Sequence, residues 1–102
     1  MSLPVRLTPA AEADLLAHYR YIAQHNPTAA ERFFDSVEGF LTLVAGDPKI
    51  GVDRDCGRAG RLRMFPVPRF RNWLIFYSDA RDQVLVVRIL HAKQDLPGLF
   101  AE

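Results

Sequence analysis

The Asn26-Pro27 step constrains this chain more than any other feature, because two helical patterns meet there with no linker between them. Proline disfavours helical geometry in the residue before it, so Asn26 closes the first helix. The Asn26 side chain can then cap the second helix, with Pro27 at its first position. Thr8-Pro9 repeats the arrangement upstream and predicts a helix from about Pro9 to His25. Ala11, Leu15, Tyr19 and Ile22, with Leu16 and Ala23 beside them, follow the spacing of a helix that buries one stripe. Glu12 and Asp14 stand near its start, where the helix dipole favours negative charge. The second helix runs to about Ala45 and is about 28 Å long. Ala30, Phe33, Phe34, Val37, Phe40, Leu41 and Val44 give it a broad apolar face, and Gly46 and Asp47-Pro48 stop it. So short a connection makes the two helices antiparallel neighbours, a helical hairpin.

A hairpin with one apolar side needs a second layer, and strand patterns supply it. Leu3-Pro4-Val5-Arg6-Leu7 alternates as a short first strand. Pro4 cannot donate to a ladder, which suits an edge or the beginning of a strand. Residues 49–60 read as a loop containing Gly51, Gly57 and Gly60. Three strands follow, at Arg61–Val67, Trp73–Ser78 and Gln83–His91, the last two joined by the hairpin loop Ser78–Asp82. The middle one is apolar on both faces, so it should be central and covered on both sides. The predicted order is β-α-α-β-β-β, an α+β fold in which the helical hairpin packs on a twisted, mainly antiparallel sheet. At 102 residues the chain makes one domain, 1–102. The far face of the sheet is expected to carry leftover apolar residues beside arginines, where a partner would dock.

Charge is asymmetric beneath a net value of +1. Residues 1–48 hold three Arg against six Asp and Glu, whereas residues 49–102 hold ten Lys and Arg against six acids. Six arginines lie between Arg54 and Arg71 with Asp55 the single acid among them. Such a cluster is either a solvated edge or a positive field for an anionic partner, an acidic peptide or nucleic acid. The whole chain is less basic than most nucleic-acid binders, which favours an acidic protein partner over direct sequence-specific DNA recognition. Cys56, the one cysteine, has neither a disulfide partner nor companions for a metal, as expected in a reducing cytoplasm. No signal peptide and no membrane span is legible. Gly-rich phosphate loops and Ser-His-Asp spacings are missing too, and no cofactor is implied.

Several segments together resemble one known family. Arg6-Leu7-Thr8-Pro9-Ala10-Ala11-Glu12-Ala13-Asp14-Leu15 resembles the opening of ParE-like toxins of the ParE/RelE superfamily. Asn26-Pro27-x-x-Ala30-x-x-Phe33 resembles the start of their second helix, and Asp47-Pro48-x-x-Gly51 the loop after it. Arg63-x-Phe65-Pro66-Val67 and Leu74-Ile75-Phe76-Tyr77 resemble two of their strands. Val87-Arg88-Ile89-Leu90-His91-x-x-x-Asp95 resembles the last strand and tail, the most specific of these signals. The ordered set spans nearly the whole chain. The resemblance implies a toxin of a type II toxin-antitoxin pair, of the kind associated with plasmid stabilisation. It implies neutralisation by a ParD-like antitoxin whose initially disordered C-terminal segment wraps the toxin. ParE-like members are taken to inhibit DNA gyrase by binding, and RelE-like members to cut messenger RNA on the ribosome. Arg61, Arg63, Arg69, Arg71, Trp73 and Arg88 are the expected antitoxin contacts.

The RNA-cutting alternative needs a general base, a general acid and cations for the phosphate. Arg61, Arg63, Tyr77, Arg88, His91 and Lys93 are the candidates, with His91 the natural acid or base. Strand alternation puts Arg88 and His91 on opposite faces unless the strand ends or bulges between them. Tyr77 shares a face with Trp73 and Ile75 and reads as core. His91 reads as structural, its ring bonded to backbone or to Asp95, and His18 and His25 read as solvated. Arg63 and Arg88 pair either with acids of the antitoxin or with aspartates of this chain. Leu96, Leu99 and Phe100 in the tail look like a docking segment. The sequence therefore favours a toxin acting by binding, with no catalytic or metal site. A ribosome-dependent endonuclease and an inactive partner-binding relative stand as alternatives.

Overall fold

The computed structural model describes residues 2–94. Both proline-started helices form as their caps require. Thr8 Oγ1 accepts from the Ala11 N–H at 3.0 Å, opening α1 (Pro9–Ala23). Asn26 Oδ1 accepts from the Ala29 N–H at 3.0 Å, opening α2 (Pro27–Gly46). Each cap satisfies one of the donors that a helix start leaves unpaired. Ala30, Phe33, Val37, Phe40 and Val44 of α2 are fully buried and anchor the hairpin on the sheet.

The sheet holds five strands: β1 (Val5–Leu7), β2 (Val52–Asp55), β3 (Arg61–Val67), β4 (Phe70–Ser78) and β5 (Val84–His91). Their spatial order is β1-β5-β4-β3-β2. All neighbours are antiparallel except β1 and β5, which run parallel with Val5 opposite Val84 and Leu7 opposite Val86. Thus β1 is an edge, and β4 is central with Ile75, Phe76 and Tyr77 buried in succession.

One strand corrects the sequence reading. The segment expected as loop contains β2, whose four residues are all exposed. Val-Asp-Arg-Asp has one apolar residue, so burial leaves no pattern to read. Cross-strand charge holds it instead: Asp53 stands opposite Arg63 and Asp55 opposite Arg61, and Arg61 pairs with Asp53 at 3.2 Å. Gly60, at φ +82°, makes the backbone turn that sends the chain into β3.

The helix-facing core gathers Val67, Ile75, Tyr77, Val84, Val86 and Ile89 under the hairpin. A register shift makes that set possible. Tyr77 pairs with Val86 and Phe76 with Arg88, leaving Val87 as an extra residue. The bulge reverses the alternation of β5, so Val84, Val86 and Ile89 all reach the same core. The far face has a small core of its own: Cys56, Leu62, Phe76 and Leu90 are no more than 6% exposed, with Met64, Leu74 and Val87 against them. The open apolar face expected from the sequence is therefore closed at its centre. Cys56, which follows the unforeseen β2, and Leu62 on β3 pack with the buried side chains of the two central strands.

Candidate functional site

Most of the arginines expected to meet a partner are occupied by this chain. Arg61 binds Asp53 through both carboxylate oxygens, at 3.2 and 3.3 Å from its Nε. Arg63 shares Asp79 with Lys49, at 3.3 and 3.0 Å, and donates to the Gly51 carbonyl at 3.0 Å. Partial burial pushes the Asp79 carboxyl upward, but Lys49 and Arg63 outweigh it and hold the acid below its ordinary value. Arg88 makes a two-point contact with Asp14, at 2.6 and 2.9 Å. Asp14 therefore serves Arg88 rather than the helix dipole alone. Arg69 and Arg71, on the β3–β4 hairpin, are exposed and make no ion pair among the described residues. Arg69 sits at φ +70°, in the left-handed region.

The groups a nuclease would use are equally committed. Tyr77 is fully buried; its hydroxyl accepts from the Gly51 N–H at 2.8 Å and donates to the Pro48 carbonyl at 2.9 Å. Burial pushes its pKa up, so the hydroxyl stays protonated. His91 Nδ1 accepts from the Lys93 N–H at 3.0 Å, which makes it the backbone-bonded histidine that the sequence suggested. The alternative partner, Asp95, lies outside the described residues, as do Leu96, Leu99 and Phe100 of the proposed docking tail. Burial, then Lys93, then His18 push the His91 pKa down. His18 is not a solvated residue: its Nε2 lies 2.7 Å from the Ile89 carbonyl oxygen. Among the described residues, no group of three or more His, Cys, Asp or Glu could hold a metal ion.

What remains available is on the outer side of the hairpin. Leu16 and Phe34 are large apolar side chains exposed there, by 48% and 38%. Leu15, Leu16, Tyr19 and Phe34 line a groove of about 440 Å³ between α1 and α2, with Glu12 and Glu31 at its polar margin. The Tyr19 hydroxyl donates to Glu31 and bridges the helices, and its ring meets Phe34 edge to face at 6.5 Å. The sequence carried a signal for this groove. Adjacent Phe33 and Phe34 stand about 100° apart on a helix, so one stripe cannot bury both.

A second recess lies across α1, at the ends of β4 and β5. Its volume is about 400 Å³, and His18, Tyr21, Trp73, His91, Lys93 and Gln94 are among its lining residues. Trp73 stands perpendicular to His91 with ring centroids 4.5 Å apart, and it packs edge-on to Phe33 and Phe70 as well. It is thus part of the helix-facing core. Its Nε1–H is shielded from solvent without a hydrogen-bond acceptor among the described residues. A donor left in that state costs about 1–3 kcal/mol.

Comparison with known proteins places this architecture. The model of the family "ParE toxin of type II toxin-antitoxin system, parDE" matches residues 5–96. No curated protein sequence matches the chain. Among solved structures, a chain from "Chromosomal ParDE TA system from P. aeruginosa" superposes with a TM-score of 0.72 at 18% identity. The superposition covers 88% of this chain and 96% of that one. At that identity the likeness is one of fold.

Proposed function

This chain belongs to the ParE toxin family of type II toxin-antitoxin systems, and from that premise we propose that it arrests growth by binding DNA gyrase and is neutralised by a ParD-like antitoxin. The observation that carries the reading is the family match over residues 5–96, which takes in every strand and helix among the described residues. The commitments of the candidate nuclease groups support binding over catalysis. Tyr77 is sealed in the core, and Arg61, Arg63 and Arg88 are each neutralised by an aspartate. At the half-buried Arg63 and Arg88, a phosphate would have to displace the aspartate before it met a free guanidinium.

The antitoxin, in this reading, grips two surfaces. Apolar side chains of an amphipathic segment fill the groove around Leu16 and Phe34, and basic flanks meet Glu12 and Glu31. Acids farther along the same segment reach the free charges of Arg69 and Arg71. Of the other contacts expected from sequence, Arg63, Arg88 and Trp73 are engaged within the toxin's own fold, and Arg61 pairs with Asp53 at the exposed surface. A segment that orders only on binding can span both surfaces at once.

Expression of the chain without antitoxin tests the activity. Growth should stop, cleaved DNA should accumulate in complex with gyrase, the DNA-damage response should rise, and messenger RNA should stay intact. Fragmented messenger RNA with undamaged DNA would replace this reading with the endonuclease. Unaffected growth from a folded, expressed chain would leave a partner-binding relative without toxicity.

A further inference from the structure

We propose that the recess between α1 and the ends of β4 and β5 is a binding site for a phosphate group, either inorganic phosphate or the phosphate of a nucleotide. The site lies away from the proposed antitoxin groove. Leu16 lines the groove and His18 the recess, and residues two apart on a helix face nearly opposite directions. Its occupation is therefore independent of the antitoxin reading.

Hydrogen-bond accounting gives the recess its chemistry. His91 Nδ1 accepts from the Lys93 N–H, so the neutral ring carries its proton on Nε2 as a donor. Gln94 Oε1 already accepts from the His91 N–H at 2.7 Å, which leaves its amide nitrogen to donate. Trp73 lines the recess, but its Nε1–H is shielded from solvent, so the indole reports on the recess without donating into it. Lys93 brings an ammonium group, and Tyr21, 60% exposed, a hydroxyl. His18 spends Nε2 on the Ile89 carbonyl, so only its Nδ1 is left to accept while the ring is neutral. The described lining thus presents four groups able to donate, on Tyr21, His91, Lys93 and Gln94. No Asp or Glu is among the described lining residues.

Electrostatics point the same way. Burial and then the neighbouring Lys93 push the His91 pKa down, as a positive charge beside the ring does. Donors come from α1, β5 and the turn after β5. A phosphate, with three or more accepting oxygens, engages more of these than a two-oxygen carboxylate does. The recess is also large enough for a nucleotide, and Tyr21 offers an exposed ring against which a base can stack.

The chain has a single tryptophan, so one indole N–H resonance reports the site without ambiguity. The full chain is titrated with inorganic phosphate and, separately, with adenosine monophosphate, at constant ionic strength with acetate as the control anion. The indole resonance should move saturably, the His91 ring should titrate at higher pH when the site is filled, and acetate should do neither. Adenosine monophosphate binding more tightly than phosphate assigns the site to a nucleotide, and equal affinity assigns it to the free ion. Lys93→Ala removes an exposed charge without touching the core and should weaken binding about tenfold or more, the worth of one charge-assisted contact. Lys93→Arg should restore most of it. An indole resonance that ignores phosphate at millimolar concentration in the folded chain overturns the proposal. So does a shift that acetate reproduces, or one that survives Lys93→Ala unchanged.

Discussion

Tyr77 shows how much one side chain can organise at the end of a sheet. Its ring belongs to the core, while its hydroxyl joins the loop after α2 through Gly51 and Pro48. Gly51 must be a glycine for that approach. A Cβ there would stand 2.8 Å from Tyr77 Oη and 2.9 Å from Tyr77 Cε1, closer than real contacts allow. Tyr77→Phe keeps the volume but leaves a buried N–H and a carbonyl without their partner. The expected loss is about 1–3 kcal/mol, read as a lower urea midpoint at unchanged slope. Gly51→Ala should lose a similar amount by overpacking. If both variants unfold where the parent does, the hydroxyl is not the fastening it is taken to be. Alternation along the strand was enough to place the Tyr77 ring in the core. The partners of its hydroxyl were not legible, because 26 residues separate it from Gly51 and no periodicity links them.

At the scale of elements, α1 does more than cover the sheet: it closes an edge. β1 is three residues long and pairs with β5 only as far as Val86. Beyond it the outer edge of β5 would stand open to another chain. Thr8 and α1 take over there. The Thr8 N–H donates to the Val86 carbonyl at 2.9 Å, its hydroxyl to the Val87 carbonyl at 2.8 Å, and Asp14 accepts from the Ile89 N–H at 3.0 Å. His18, one turn on from Asp14, meets the Ile89 carbonyl. Asp14→Ala should release the Ile89 N–H and the Arg88 guanidinium together, at a cost of about 2 kcal/mol. Amide exchange at Ile89 should accelerate more than at Ile75 in the central strand; equal acceleration would mean a global loss and no edge function. The helices, their caps and four of the five strands were legible because capping chemistry and burial both write local patterns. β2 was not, since exposure leaves no alternation to find. Nor was the Asp14–Arg88 pair, whose members lie 74 residues apart and acquire meaning only once β5 lies beside α1.

For the whole molecule, the layers explain why a partner should reach this protein from outside the hairpin. The far face of the sheet closes over Phe76 and Leu90, and the near face is filled by α2. The helix pair is left to present Leu16 and Phe34 to solvent across a groove that the fold itself does not fill. A ligand that binds only the folded state stabilises it in proportion to the logarithm of its excess, about 2.7 kcal/mol at a hundredfold excess over Kd. In a domain of this size that corresponds to a rise in Tm of roughly 10 °C or more. The toxin-binding segment of the antitoxin, added as a peptide, should raise the Tm of the chain by that order. Leu16→Glu keeps a good helix former at an exposed position, so the free variant should melt within a few degrees of the parent. It also adds a third carboxylate beside Glu12 and Glu31 and removes the apolar contact, so the peptide-induced rise should largely vanish. A variant that still gains the full increment would place the antitoxin elsewhere and leave the groove without its proposed occupant.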